Sequence, residues 1–167
     1  QIFFIHTSTE PLPTNIVFAS IESAALTHPS HTLHVLSNTW PQTAFAFLAS
    51  TTQKRIHVRK FSYATEFEST PLLKWYQSGA WRDGFWEHNL ADSLRLALLY
   101  RHGGSYFDTD VIHLRAIPSV QPNVINFLGV RLSDKAIYAL GTAMVCLGGG
   151  SRLDGALRWG CGAAAVG

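Results

Sequence analysis

The segment Asp92-Ser-Leu-Arg-Leu-Ala-Leu-Leu-Tyr-Arg-His-Gly-Gly-Ser-Tyr-Phe-Asp-Thr-Asp-Val-Ile-His-Leu114 predicts a helix, a glycine stop and a strand. Its first half carries a stripe at helical spacing, formed by Leu94, Ala97, Leu98 and Arg101. Gly103 and Gly104 follow a basic last turn, which is typical of a helix end because glycine adopts the left-handed cap. An aromatic pair then opens a β-rich run that we expect to continue to Leu114.

Two carboxylates lie on this predicted strand, Asp108 and Asp110. Side chains alternate along a strand, so both should point to the same side, with Cα atoms about 6.5 Å apart. Like charges at that distance repel each other unless a cation lies between them, and oxygen ligands suit Mg²⁺ or Mn²⁺. The pattern therefore predicts a metal–diphosphate site. A solvated acidic strand end is the alternative, and burial of the pair against a lysine or arginine would contradict the metal site.

Asp92 and Arg95 are three residues apart and should share one face of the preceding helix. They form either a surface ion pair, worth about 0–1 kcal/mol, or a carboxylate and guanidinium aimed at a sugar and a phosphate.

The rest of the chain predicts an α/β fold with a mostly parallel sheet flanked by helices. Predicted strands cover 1–7, 33–37, 56–59, 126–130 and 136–147. Predicted helices cover 16–26, capped by Thr14 or Asn15, and 70–76, with a short helix within 39–53. We expect a domain over 1–147 and a glycine- and alanine-rich tail over 148–167.

Composition excludes several classes of protein. The 167 residues are 47% hydrophobic and 14% charged, which suits one folded domain rather than a disordered chain. A net charge of +2 is too small to indicate a nucleic-acid partner. There is no apolar run of about 18 residues and no signal segment, and the chain opens inside a predicted core strand, so we expect a fragment. Cys146 and Cys161 are too far apart for a C-x-x-C motif; free thiols are expected, with one disulfide as the alternative.

The combined pattern is more specific than its parts: Ala91-Asp92-x-x-Arg95-x-x-x-Leu99-Tyr100-x-x-Gly103-Gly104-x-Tyr106-x-Asp108-x-Asp110. It resembles the sugar-binding D-x-D region of glycosyltransferases, and more narrowly the lactosylceramide 4-α-galactosyltransferase and α-1,4-N-acetylgalactosaminyltransferase family. The resemblance covers roughly residues 2–40 and 60–147, the donor-binding half of such enzymes. The tail over 148–167 does not resemble the family.

The resemblance implies a truncated GT-A type nucleotide-sugar domain that uses Mn²⁺ or Mg²⁺ and UDP-galactose or UDP-N-acetylgalactosamine. The implied acceptor is a glycosphingolipid, joined in an α-1,4 linkage with retention of configuration. The parent enzyme would be a Golgi membrane protein whose amino-terminal anchor this chain lacks. The sequence does not choose between the two donor sugars and does not identify the acceptor.

The resemblance also implies a set of residues near the donor: His6, Thr7, Trp75, Tyr76, Asp92, Gly104, Asp108 and Thr109. His6 could instead be a capping residue, and the two aromatic residues could instead pack in the core.

Catalytic roles are expected for three residues, Asp92, Arg95 and Asp108. Asp110 would hold the metal, with help from Asp108, which would also contact ribose or sugar hydroxyls. Asp92 would bind the donor sugar, and Arg95 would support Asp92 or a phosphate.

Three other interpretations remain open. The D-x-D could belong to a haloacid dehalogenase-type phosphatase, although there the motif follows the first strand of the domain. The chain could be a non-catalytic remnant that binds a nucleotide sugar or a glycolipid. It could also be a structural α/β domain with no ligand.

Overall fold

The computed structural model describes residues 1–82, 86–116, 124–126 and 144–147. Its strands are β1 Ile2–His6, β2 Leu33–Ser37, β3 Ile56–Arg59, β4 Gly104–Phe107, β5 Val124–Asn126 and β6 Met144–Leu147. Its helices are α1 Asn15–Thr27, α2 Ser50–Gln53, α3 Tyr63–Phe67, α4 Leu72–Ser78 and α5 Trp86–His102. No helix in these described ranges is both long enough and apolar enough to cross a bilayer.

The described strands form one sheet in the order β3-β2-β1-β4-β6-β5. The first four are parallel, and β6 runs antiparallel to both β4 and β5. This confirms the predicted α/β fold with a mostly parallel sheet. In such a sheet the carboxyl ends of β1, β2 and β4 meet at one edge, which is where open α/β sheets bind ligands.

Both faces of β1 are buried, which explains why this strand is a continuous apolar run. Ile2 and Phe4 point into one core, which contains residues of α1 and of the segment 40–45. Phe3 and Ile5 point into the other core, which contains residues of α3 and α5.

Helix α5 ends as its sequence predicts. The stripe residues Leu94, Ala97 and Leu98 are fully buried. Gly103 has a φ of 65°, and its amide donates a hydrogen bond of 2.9 Å to the carbonyl of Leu99. The left-handed glycine therefore closes the helix and turns the chain into β4.

Gly104 is constrained by the sheet itself, and Gly104→Ala should destabilise the fold by about 2–4 kcal/mol. Its φ is +93°, and an added Cβ would lie 2.5 Å from the main-chain oxygen of Gln1. Urea unfolding measures the cost. Gly79→Ala is the matched control, because φ there is +74° but the Cβ would meet only the mobile end of Arg82. Equal costs for the two variants would contradict a backbone clash at Gly104.

The prediction that the strand continues to Leu114 is wrong, because β4 ends at Phe107. Asp108 follows the strand, and Thr109 and Asp110 form a turn. The chain then folds back on α1. Ser20 Oγ donates to the carbonyl of Asp108 at 3.3 Å, and the amide of His113 donates to the hydroxyl of Ser23 at 3.0 Å.

Several predictions fall outside the described residues. These are most of the two last predicted strands, over 127–130 and 136–143, Cys161, and the tail over 148–167.

Candidate functional site

Polar residues collect where three parallel strands end. The acidic turn containing Asp108 and Asp110 follows β4, Thr7 follows His6 at the end of β1, and Ser37 ends β2. The structure therefore brings the two predicted metal ligands and two predicted nucleotide-binding residues to one edge of the sheet.

Asp108 is held in place by two side chains. The Tyr106 hydroxyl donates a hydrogen bond of 2.8 Å to Asp108 Oδ1, and Arg95 Nη1 lies 3.6 Å from the same oxygen. Burial raises the pKa of Asp108, against the lowering by the Tyr106 hydrogen bond and the Arg95 charge. The side chain is 18% exposed, whereas Asp110 is exposed at the surface. The acidic pair is therefore not buried as a unit against a cation, since within the described ranges Arg95 pairs with Asp108 and not with Asp110.

Arg95 connects the helix to the acidic turn. Its Nη2 pairs with Asp92 Oδ1 at 2.8 Å, and its guanidinium lies 4.7 Å from the centroid of the Tyr106 ring. The prediction that Asp92 and Arg95 share a helix face is confirmed. The Asp92 side chain is 66% exposed, so its carboxylate remains accessible while Arg95 holds it. Arg95 Nε is buried and has no hydrogen-bond partner among the residues that the structure describes.

His6 lies against Trp40, with ring centroids 3.9 Å apart. The Trp40 indole N–H donates to the carbonyl of Glu10 at 3.1 Å, which ties together the loops after β1 and β2. Burial lowers the pKa of His6, so the neutral imidazole is favoured. Its Nε2 is buried and finds no hydrogen-bond partner in the described part of the chain, and Thr7 beside it is exposed.

The structure does not bring Gly104 to this edge, because Gly104 begins β4 and Asp108 follows its end. The position of Gly104 is explained by its close approach to Gln1 instead. Trp75 and Tyr76 are half-buried, and their rings contact Phe67 at centroid distances of 6.3 and 5.2 Å. These contacts agree with the alternative that Trp75 and Tyr76 pack in the core and do not contact the donor.

Sequence reasoning assigned no role to Tyr106 or to the serines of α1 that hold the acidic turn. The spacing of Tyr106, two residues before Asp108, was the available signal for its contact. Ser20 and Ser23 gave no signal, because their partners lie about ninety residues away in the chain.

His113 should make the fold sensitive to acid. Its ring lies 4.2 Å from that of Phe107, its Nε2 is buried with no hydrogen-bond partner within the described ranges, and burial lowers its pKa to about 4. Because the unfolded chain binds a proton near pH 6.5, stability should fall between about pH 6.5 and pH 4. After allowance for the partial exposure of the ring, the loss is roughly 2 kcal/mol.

Denaturant unfolding at pH 7.5 and pH 4.5 measures the total loss of stability, to which His6 and other histidines with lowered pKa values also contribute. His113→Phe should make this total smaller by roughly 2 kcal/mol. The control is His88→Gln, at an exposed histidine of α5, which should leave the pH dependence as it is. A His113→Phe protein that loses as much stability in acid as the wild type would contradict this role.

The residues of the acidic turn fit a divalent cation that brings other ligands with it. No group of three or more His, Cys, Asp or Glu side chains within the described ranges could hold an ion by itself. Asp108 Oδ2 and the exposed Asp110 carboxylate supply oxygen donors, and Mg²⁺ and similar ions commonly complete their coordination with phosphate oxygens and water.

Comparison with known proteins gives matches over most of the chain. Residues 15–126 match the family model described as "Glycosyltransferase sugar-binding region containing DXD motif". The chain is 34% identical to the rat "Lactosylceramide 4-alpha-galactosyltransferase" over 142 residues, covering 78% of this chain and 37% of the relative. It is 33% identical to the human "Alpha-1,4-N-acetylglucosaminyltransferase" over 150 residues, covering 82% and 42%.

Among solved structures, "PaToxG Glycosyltransferase" is similar, with a TM-score of 0.53 and 19% identity, covering 87% of this chain and 53% of that chain. This likeness supports the predicted GT-A type α/β fold. The chain spans about two fifths of the length of the two curated relatives. The resemblance stated from the sequence is confirmed.

Proposed function

We propose that this chain is the donor-binding part of a retaining hexosyltransferase. The premise is that the chain belongs to the family of glycosyltransferases whose sugar-binding region contains a DXD motif. Members of this family use a nucleotide-sugar donor and a divalent metal. The proposed donor is UDP-galactose or UDP-N-acetylgalactosamine. UDP-N-acetylglucosamine is a third candidate, because the human relative is named as an N-acetylglucosaminyltransferase. The proposed acceptor is a glycosphingolipid, joined by an α-1,4 linkage in the Golgi lumen.

One observation carries this proposal. Asp108 is fixed at the end of β4 by Tyr106 and Arg95, and the exposed Asp110 lies two residues further on. Asp108 and Asp110 would hold Mn²⁺ or Mg²⁺, which when bound supplies a Lewis acid for the departing diphosphate.

The chain's own residues would orient the donor. Arg95 holds the Asp92 carboxylate at 2.8 Å, so Asp92 can accept a hydrogen bond from a sugar hydroxyl without losing its place. The Tyr106 hydroxyl donates to Oδ1 of Asp108, so Oδ2 would be the oxygen that binds the ligand. His6 and Thr7, at the end of β1, would contact the nucleotide. In a front-face route, the acceptor attacks the sugar on the face from which the leaving group departs. Such a route needs no protein nucleophile.

Measuring UDP binding and UDP-sugar hydrolysis on the same sample tests the proposal. Binding together with Mn²⁺-dependent release of UDP supports a transferase domain. Binding without turnover favours the non-catalytic remnant. A sample that shows neither UDP binding nor UDP-sugar hydrolysis would overturn the proposal. Hydrolysis of a generic aryl phosphate would instead favour a phosphatase.

Tyr106→Phe should weaken Mn²⁺-dependent UDP binding about tenfold, because it removes one hydrogen bond to a charged carboxylate. The change is isosteric, so the fold should be retained, as circular dichroism and urea unfolding would show. Tyr100→Phe, at a half-buried tyrosine of α5, is the matched control. Unchanged UDP affinity in Tyr106→Phe would show that the hydroxyl does not position Asp108.

A further inference from the structure

Two serines in the middle of helix α1 contact the acidic turn and the residues that follow it. Ser20 Oγ donates a hydrogen bond of 3.3 Å to the carbonyl of Asp108, and Ser23 Oγ accepts one of 3.0 Å from the amide of His113. Ser23 Oγ also donates to the carbonyl of Ser20 at 2.8 Å, which joins the two contacts. We call Ser20 and Ser23 the serine pair.

The serine pair holds both ends of the segment 108–113, which contains Asp110. Ser20 and Ser23 are three residues apart, so they share one face of α1 and are separated by about 4.5 Å along its axis. Asp110 lies between the two contacts and is exposed. The segment that carries the second carboxylate is therefore fixed at both ends to one turn of a thirteen-residue helix.

Asp108 is held through its main chain as well as through its side chain. Ser20 binds its carbonyl, whereas the Tyr106 hydroxyl donates to its Oδ1 at 2.8 Å and Arg95 Nη1 lies 3.6 Å from the same oxygen. Ser20 is fully buried, so water does not compete for its hydrogen bond. The position of the Asp108 carboxylate is therefore set from α1 as well as from β4 and α5.

Helix formation does not account for the serine pair. Alanine is the better helix former, and a serine inside a helix can divert its hydroxyl to main-chain groups. The buried neighbours of the pair on α1 are apolar, namely Val17, Ile21 and Ala24. The two hydroxyls are better explained by their contacts with the segment 108–113.

A metal site of this kind needs its carboxylates in place before the cation binds. Two like charges repel each other when no cation lies between them, which favours conformations of the turn that separate Asp108 from Asp110. The apparent affinity for the cation falls in proportion to the fraction of molecules that have the binding conformation. Fixing both ends of the turn raises that fraction.

We propose that the serine pair positions Asp108 and Asp110 for the divalent cation, so that affinity for Mn²⁺ depends on α1 as well as on the two carboxylates. The inference rests on the proposed function, because it concerns the same metal site. Ser20 and Ser23 are positioning residues, since both contact main-chain groups of the segment 108–113.

Binding of Mn²⁺ at saturating UDP tests this, with free Mn²⁺ followed by its electron paramagnetic resonance signal. Ser23→Ala should weaken Mn²⁺ binding about fivefold, because it removes one hydrogen bond that holds the segment. Ser20→Ala/Ser23→Ala should weaken it about twentyfold, because both ends are released. Ser23→Thr keeps the hydroxyl at a half-buried position and should bind Mn²⁺ as the wild type does.

Ser78→Ala is the matched control. Ser78 Oγ donates to the carbonyl of Trp75 at 2.8 Å and accepts from the amide of Ala80 at 3.3 Å, so this change removes the same two kinds of hydrogen bond as Ser23→Ala. Its partners belong to α4 and the residues just after it. Affinity for Mn²⁺ should therefore stay at the wild-type value.

Two further measurements separate positioning from a purely structural role. Urea unfolding reports stability, and a loss of stability alone leaves the Mn²⁺ affinity of the folded protein unchanged. Hydrogen exchange of the His113 amide, measured by NMR without metal, should be faster in Ser23→Ala and return to the wild-type rate in Ser23→Thr. If the double variant does not fold, Ser23→Ala and Ser23→Thr decide the question.

The outcomes distinguish this inference from the proposed function. A wild-type chain that does not bind Mn²⁺ together with UDP would overturn both. If the wild type binds and folded Ser23→Ala binds Mn²⁺ equally well, only the role of the serine pair is overturned. The same holds if Ser78→Ala loses as much affinity as Ser23→Ala, or if exchange of the His113 amide is unchanged.

Discussion

Asp110→Asn is expected to lower the affinity for UDP in the presence of Mn²⁺ by at least about a hundredfold, nearly 3 kcal/mol. The substitution removes one of the two carboxylates proposed to hold the cation and replaces a charged oxygen ligand with a neutral amide. Asp110 is exposed in a turn, so the fold should change by less than about 0.5 kcal/mol. Isothermal calorimetry of UDP binding with saturating Mn²⁺ measures the loss.

The control for this variant is Glu68→Gln, which removes the same charge from an exposed site just after α3. It should bind Mn²⁺–UDP as tightly as the wild type. An Asp110→Asn protein that binds Mn²⁺–UDP with unchanged affinity would reject the role assigned to this residue.

Glu66→Ala is expected to destabilise the fold by about 2–4 kcal/mol. Glu66 is 4% exposed and bridges Arg59 of β3 and Arg101 of α5. Its removal leaves two guanidinium groups facing each other without a counter-charge. The cost stays below that of a fully buried pair, because the side chains of Arg59 and Arg101 are 36% and 30% exposed and can turn toward water.

Urea unfolding at pH 7.5 measures this effect, with Glu68→Ala as the exposed control, expected within about 0.5 kcal/mol of the wild type. Glu66→Gln should fall between the two, since it keeps the shape of the side chain and loses only the charge. A Glu66→Ala protein less than about 1 kcal/mol less stable than the wild type would show that the bridge contributes little.

The local features of the fold could be predicted from the sequence because their causes are local. Helix α5 is specified by the spacing of Leu94, Ala97 and Leu98 and by the left-handed Gly103 after it. The ion pair between Asp92 and Arg95 follows from helical geometry alone. The parallel strands follow from short apolar runs that alternate with helices.

The features that were missed depend on residues far apart in the chain. The β propensity of 108–114 predicts a strand. Ser20 and Ser23 of α1 instead form hydrogen bonds with this segment, and β4 ends at Phe107. Gly104 looked like part of a helix stop, and only the pairing of β4 with β1 shows its contact with Gln1.

The contact between the rings of His34 and His57 likewise exists only through strand register. His34 and His57 are twenty-three residues apart in the chain and become neighbours when β2 pairs with β3. No local pattern could have shown this.

Calorimetric titration of the wild-type chain with UDP, in Mn²⁺ and then in excess EDTA, tests most directly whether the acidic turn holds a metal together with a nucleotide diphosphate. We predict UDP binding that requires Mn²⁺ and disappears in EDTA. UDP binding of equal strength in EDTA, or no UDP binding in Mn²⁺, would contradict a metal–diphosphate site at Asp108 and Asp110.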